Sequence, residues 1–295
     1  MSWAIIADSS CNLRSFEPTA PDTAFYTAPL AIHVGDLEFV DDDGFDPRAM
    51  DQVLVGSPET SSSSCPSIGE WTELFGRADN VIAIAMSSNL SASYESAFMA
   101  RNIVMDEYAR EHNGVIAEKN IFVLDSKAAG GKLEVIVELL DAYLAAAHPT
   151  FDQAVRYVTR LERSSNVLFS LSSYDNLLRG GRMAKLAGTL AGRLNVRALG
   201  KASPQGTIKI VATTRGERGT IKKITETMEG LGYDGGLVYI DHVENEMGAN
   251  HVADAIRAKW PGARIRILPC GALCSYYAER SGLIIGFEWL DALDA

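Results

Sequence analysis

Short apolar runs that alternate with helical periodicity constrain this chain most. Runs at residues 3–7, 81–85, 121–124, 167–171, 207–211, 237–240, 264–268 and 283–287 are each long enough for a strand. All fall far short of the ~18 residues a membrane-spanning helix needs. The early runs are apolar throughout, the pattern of parallel strands buried on both faces. Those at 207–211 and 264–268 alternate polar with apolar residues, which predicts half-solvated strands at a sheet edge or in a sheet with one open face. Leu133, Ile136, Val137, Leu140, Tyr143 and Leu144 keep a 3–4 spacing, and Ile221, Ile224, Met228 and Leu231 form a second stripe. Thr220 is placed to cap the second stripe and Gly232 to end it. Residues 93–111 read as a third helix.

Strand–helix alternation up to about residue 145 predicts an α/β fold that opens with a Rossmann-like parallel sheet flanked by helices. His148-Pro149-Thr150 then punctuates the chain. A second α/β region with a mixed sheet is expected after it. We place a first unit over residues 1–155 and a second over 156–295.

At 295 residues, 47% of them hydrophobic and 22% charged, the chain can bury a substantial core without disulfides. Its four cysteines, Cys11, Cys65, Cys270 and Cys274, are sparse. The opening Ser2-Trp3-Ala4-Ile5-Ile6-Ala7 meets Asp8 at once and does not read as a secretory signal. A cytoplasmic protein with reduced thiols and no stable membrane insertion is expected.

Charge is segregated. Residues 179–223 hold eleven Lys or Arg and one acid, Glu217, a local charge of +10 in a chain whose formal net charge is −11. Solubility needs net charge but not segregation, so this stretch reads either as a surface for something anionic or as a solvated face paired with acids from elsewhere in the fold.

Two segments are rich in hydroxyls, Thr60-Ser61-Ser62-Ser63-Ser64-Cys65-Pro66-Ser67 and Ser87-Ser88-Asn89-Leu90-Ser91-Ala92-Ser93-Tyr94. The second lies between a predicted strand and a predicted helix, at the carboxyl end of a strand where open α/β sheets bind ligands. Hydroxyls and free helix N–H groups there suit a carboxylate or phosphate. The same geometry serves a simple cap at Ser88 or Ser91. Asp8, ending the first strand, reads as a loop organiser that accepts N–H bonds near the site. Leu178-Arg179-Gly180-Gly181-Arg182 permits a tight turn flanked by guanidiniums suited to carboxylate or phosphate.

Catalytic signatures are missing. There is no G-x-S-x-G elbow, and His33, His112, His148, His242 and His251 sit in no catalytic context. No H-E-x-x-H, paired C-x-x-C, EF-hand, Walker A or G-x-G-x-x-G pattern occurs, so neither a metal nor a nucleotide cofactor is expected. Cys270 and Cys274 read as two buried thiols.

In chain order, Ile6-Ala7-Asp8-Ser9-Ser10-Cys11-Asn12-Leu13, residues 63–71, residues 87–97 and Leu178-Arg179-Gly180-Gly181-Arg182 resemble four motifs of the DegV family of fatty-acid-binding proteins. Leu124-Asp125-Ser126 is similar to a fifth. The resemblance implies a two-domain protein that buries one long-chain fatty acid in a tunnel between its domains. It implies no chemistry of its own and no cofactor; a separate fatty-acid kinase phosphorylates the presented carboxylate to an acyl-phosphate. Carried over by position, Ser63 and Ser91 would hold the carboxylate, with Ser64, Ser88 and Asn89 close by and Arg182 near the entrance. The basic stretch, with Arg179, Arg182, Lys185, Arg193 and Arg197, would dock the kinase. The last family motif departs: residues 271–282 carry no histidine, and Tyr276, Tyr277 or Arg280 would have to serve the head group.

Two other readings stand beside this one. The serine loops, with Arg179, Arg182 and Lys185, also suit an enzyme or sensor of a small phosphorylated ligand. A DNA-binding role for the basic stretch lacks a helix-turn-helix pattern, and the acidic net charge argues against nucleic acid as a partner.

Overall fold

The computed structural model describes residues 1–56, 61–114, 116, 118–183 and 196–288. In chain order the strands are β1 (Trp3–Asp8), β2 (Thr23–Ala28), β3 (Ala31–Val34), β4 (Leu37–Val40), β5 (Ser61–Ser64), β6 (Asn80–Ala85), β7 (Asn120–Asp125), β8 (Ser165–Leu171), β9 (Val196–Ala202), β10 (Ile208–Arg215), β11 (Leu237–His242), β12 (Arg264–Pro269) and β13 (Leu283–Glu288). The helices are α1 (Pro47–Gly56), α2 (Ile68–Phe75), α3 (Ser93–Glu111), α4 (Gly131–Ala147), α5 (Phe151–Arg163), α6 (Asp175–Arg179), α7 (Gly216–Gly230), α8 (Glu246–Lys259) and α9 (Ala272–Ala278).

The fold is α/β, as expected. Its first sheet is four-stranded and parallel throughout, in the order β2-β1-β6-β7, and β1 and β6 are buried along almost their whole length. That double-sided burial is why their sequences are continuous apolar runs. The second sheet is six-stranded and mixed, in the order β10-β9-β8-β13-β11-β12. The two runs with alternating polarity, β10 and β12, are its two edge strands. Strands β2, β3, β4, β5 and β9 were not anticipated; β3, β4 and β5 pair antiparallel into a small third sheet.

The layers run helices, sheet, helices, sheet, helices. α2 and α3 cover the outer face of the parallel sheet, and α7 and α8 the outer face of the mixed sheet. α4 lies between the two and packs on β1 from one side and on β8, β11 and β13 from the other. It is therefore buried nearly all round, including Leu133, Val135, Ile136, Val137, Leu139 and Leu140. Its start is pressed onto β13 by two facing glycines: a Cβ on Gly286 would fall 1.8 Å from the Gly131 carbonyl carbon. α2 and α5 start in capping boxes, Ser67 with Glu70 and Thr150 with Gln153. Residues 155 and 156 lie inside α5, so the expected division of the chain falls within a helix. α7 starts five residues before Ile221, so Thr220 is not its cap but an interior residue whose hydroxyl bonds the Gly216 carbonyl. Gly232, at φ +93°, closes the turn after that helix.

Candidate functional site

Residues that follow β2 (Leu30), β6 (Met86, Leu90 and Ser91) and β7 (Ala129) face Phe169, Leu171 and Ile284 of the mixed sheet, and a pocket lies between them. Its empty volume is about 570 Å³, the open mouth included. Leu30, Met86, Leu90, Ala129, Phe169, Leu171, Leu177, Ile208, Leu273, Ala278 and Ile284 give it an apolar wall. Ser63, Ser91, Arg182, Cys274 and Tyr277 supply its polar atoms.

The serine tract expected as a loop forms β5, an edge strand held to β3 by register pairs such as Ile32 with Ser63. Strand alternation turns Ser61 and Ser63 inward and Ser62 and Ser64 outward. Ser63 Oγ lies 2.8 Å from the Tyr277 hydroxyl, and Ser61 Oγ 2.8 Å from that of Tyr276. Arg182 donates from Nε to the Leu90 carbonyl at 3.1 Å and from Nη1 to the Gly180 carbonyl at 2.7 Å. Its guanidinium stands 5.8 Å from the centre of the Tyr277 ring. Arg182 thereby bridges the glycine turn after α6 to the loop carrying Ser91. Burial pushes the Tyr277 hydroxyl up in pKa, with the Ser63 hydrogen bond and the Arg182 charge opposing, so it stays a protonated donor.

The supporting shell is anchored on carboxylates. Asp8 is fully buried and accepts from Ser10, from the Met86 N–H at 2.7 Å and from the Ser93 hydroxyl at 2.6 Å. It ties the β1 end to the β6 loop and the start of α3, the organising role its position predicts. Asp41, also fully buried, pairs with Arg14 and accepts from the Ala272 N–H at 2.6 Å and the Leu273 N–H at 3.1 Å. It thus caps α9, the helix that presents Tyr277. Nothing in the local sequence links Asp41 to residue 272, so sequence reasoning missed it.

Of the residues singled out from sequence, Ser63, Ser91, Arg182 and Tyr277 meet in the pocket. The others lie elsewhere. Ser64 Oγ faces His33 Nε2 at 2.9 Å on the outer side of β5. Ser88 is taken up by Asp125, to which its hydroxyl donates at 2.7 Å and its N–H at 3.2 Å. Asn89 donates to the Gln205 carbonyl at 2.6 Å, latching the β9–β10 hairpin to the β6 loop. Tyr276 is buried behind the pocket wall against Ser61. Arg280 does not reach the pocket; it points outward and pairs with Glu244 at 3.2 Å.

The basic stretch is divided. Arg179 is exposed next to the pocket turn, whereas Arg197 is half-buried on β9 and donates to the Ser170 and Ser281 carbonyls. Lys222 and Lys223 pair with Glu226. Lys185 and Arg193 lie outside the described residues. Cys270 and Cys274 are free, buried thiols, and burial pushes both well up in pKa. Among the described residues, no helix is long and apolar enough to cross a membrane.

The profile of the family described as "Uncharacterised protein, DegV family" matches residues 2–287. A DegV domain-containing protein of Streptococcus pneumoniae is 35% identical over 288 residues, 98% of this chain and 99% of its own. Among solved structures, the Streptococcus pneumoniae Fatty Acid Kinase (Fak) B3 protein loaded with linoleic acid is 35% identical, with a TM-score of 0.91 over 98% of this chain and 99% of its own. A DegV family protein from Eubacterium eligens loaded with heptadecanoic acid is 30% identical, with a TM-score of 0.89 over 98% of this chain and 100% of its own.

Proposed function

The chain belongs to the DegV family, and on that premise we propose that it is a fatty-acid carrier that presents a lipid carboxylate to a partner kinase. The observation that carries this reading is the pocket: an apolar wall against which Ser63, Ser91, Tyr277 and Arg182 gather their polar atoms. A carboxylate removed from water needs several donors, or its burial costs several kcal/mol. Three hydroxyls and a guanidinium meet that need, and the wall suits an acyl chain. The fatty acids bound by the two similar structures, linoleic and heptadecanoic acid, are ligands of this class.

In this reading the acyl chain runs in a tunnel between the units 1–155 and 156–295. The carboxylate sits between the β5 serine, the β6 loop and α9, with the Tyr277 hydroxyl serving where the family motif has a histidine. The protein contributes no catalytic residue and no cofactor; a fatty-acid kinase supplies the phosphoryl group. That kinase docks near Arg179 and Arg182, beside the pocket mouth. The carrier works in the cytoplasm, without membrane insertion and without nucleic acid. The alternative, a small phosphorylated ligand on the serine loops, is disfavoured because the pocket wall is apolar.

Native mass spectrometry of the protein as expressed, followed by denaturation and lipid identification, tests the proposal. A stoichiometric fatty acid is the expected result. A protein that is empty and takes up no added fatty acid would overturn it.

A further inference from the structure

On the opposite face of β8 lies a second cavity. Alternation along that strand sets the arrangement: Phe169 and Leu171 line the first pocket, and Ser170 between them lines the second, under α7 and α8. The second cavity has an empty volume of about 670 Å³, open solvent included, and Ser170, Arg197, Gly216, Glu217, Thr220 and Asn245 border it. Half of its wall, from Arg197 and from Gly216 to Ile221, belongs to the stretch 179–223.

Three independent features converge there. Ser170 is 0% exposed, and its hydroxyl has no hydrogen-bond partner among the described residues. A buried hydroxyl left without a partner is unfavourable, and such groups are rare in native proteins. Arg197 Nη1 donates to the Ser281 carbonyl at 2.9 Å and the Ser170 carbonyl at 3.4 Å, but no carboxylate among the described residues forms an ion pair with it. Burial pushes its pKa down, with the Glu217 charge opposing, as fits a half-buried cation short of counter-charge. Finally, α7 opens into the cavity with no side-chain cap. Gly216, at φ +71°, leaves the space where a Cβ would stand open. Uncapped N–H groups and the positive end of a 15-residue helix favour an anion. The carboxylate on the wall, Glu217, is held by His251 Nδ1 at 2.7 Å.

We propose that this cavity binds a phosphate group, held by the Arg197 guanidinium, the Ser170 hydroxyl and the N–H groups that open α7. A guanidinium fork, a hydroxyl and backbone N–H groups match the several oxygens of a phosphate. The site is separate from the serine loops and does not depend on the lipid reading, since its wall shares only the β8 and β13 backbone with the first pocket.

Calorimetric titration at low ionic strength, with inorganic phosphate and with glycerol 3-phosphate, tests this on the full chain. Saturable binding is expected. Arg197→Gln should weaken it by about 10- to 100-fold and Ser170→Ala by about 3- to 10-fold. Lys222→Gln, which removes an exposed charge on α7 outside the cavity, should leave it unchanged. Tighter binding of phosphate alone identifies the free ion as the ligand, and tighter binding of glycerol 3-phosphate identifies a monoester. Failure of both to bind would overturn the proposal. So would binding that Lys222→Gln weakens as much as Arg197→Gln, or binding that Ser170→Ala leaves untouched. The serine variant removes only an unpartnered hydroxyl, so it keeps the test decisive even if Arg197→Gln fails to fold.

Discussion

Tyr277 joins the two halves of the polar cluster, with its hydroxyl on Ser63 and its ring beside Arg182. Removing both candidate anchor hydroxyls, in Ser63→Ala with Ser91→Ala, should weaken fatty-acid binding by about 10- to 100-fold, at about 1 kcal/mol or more per hydrogen bond to a charged group. Each serine also gives up one internal hydrogen bond, Ser63 with the Tyr277 hydroxyl and Ser91 with the Ser93 N–H, so stability should fall by about 1 kcal/mol per serine without loss of the fold. Competition with a fluorescent fatty acid measures the first effect, and unchanged affinity would remove these serines from the site. Arg179→Glu should slow acyl-phosphate formation by an added fatty-acid kinase while leaving lipid occupancy as it was. At this scale the sequence was informative where chemistry is rare. The two serine clusters stand out in composition, whereas the glycine-arginine turn is weak by itself, and Ser63, Ser91 and Arg182 are picked out by their place in the family motifs. The apolar wall was invisible, because Phe169 or Ile284 lining a pocket looks the same in sequence as Phe169 or Ile284 filling a core. Arg280 misled because sequence gives position along the chain, and the pairing with Glu244 that turns it outward is a tertiary contact.

Two short elements set the shape of the pocket, and each hangs on a few atoms. α9 is held by Asp41, which satisfies two of its N–H groups and the Arg14 cation at once. Asp41→Ala leaves that cation unpaired and should cost about 3–5 kcal/mol of stability, read as a lowered urea midpoint. The β9–β10 turn is the other such element. Gly206 sits at φ +80°, and a Cβ there would fall 2.1 Å from Ser87 Oγ and 3.0 Å from Lys127 Cα. Gly206→Ala should therefore lift the hairpin from the β6 loop and reduce lipid occupancy, with a smaller stability loss of about 1–2 kcal/mol for the left-handed backbone. Full occupancy in that variant would show that the hairpin does not close the pocket. The strands buried on both faces were legible as apolar runs, and the edge strands β10 and β12 as alternating ones. β5 was not legible: a run of serines has low strand propensity, and it is extended only because β3 offers it a backbone to pair with.

Across the whole molecule, the interface between the sheets holds two buried carboxylates, Glu134 and Asp241. Burial is the main cause that raises both. Glu134 is pushed up to about 7, opposed by the Asn12 N–H at 2.5 Å, and the Glu134 charge pushes Asp241 up further. The folded state therefore keeps a proton on Glu134 up to about pH 7, whereas the unfolded chain releases it near its ordinary value of 4.5. Between those values the folded state binds more protons, so stability falls as pH rises, by on the order of 3 kcal/mol once the pH passes 7. Glu134→Gln should flatten that slope and leave the protein more stable than wild type above pH 7. Urea titrations across that window give the answer, and an unchanged slope would place the proton elsewhere. The two-sheet architecture was readable from the spacing of strands and helices. The shared position of α4 was not, because its 3–4 stripe reads as a single buried face, whereas sheets cover the helix from two sides.

On the carrier reading, that shared helix restricts how a lipid would enter. Drawing the sheets apart like a clamshell would strip α4 of one wall and expose several of Leu133, Val135, Ile136, Val137, Leu139, Leu140 and Leu144. At about 1.5–3 kcal/mol for each side chain, such an opening rivals global unfolding. A carrier built this way would load and unload by fraying at the rim, where the 203–206 turn and the α6–glycine turn are held by a handful of hydrogen bonds. The molecule works less as a hinged jaw than as a rigid sleeve with a loose cuff.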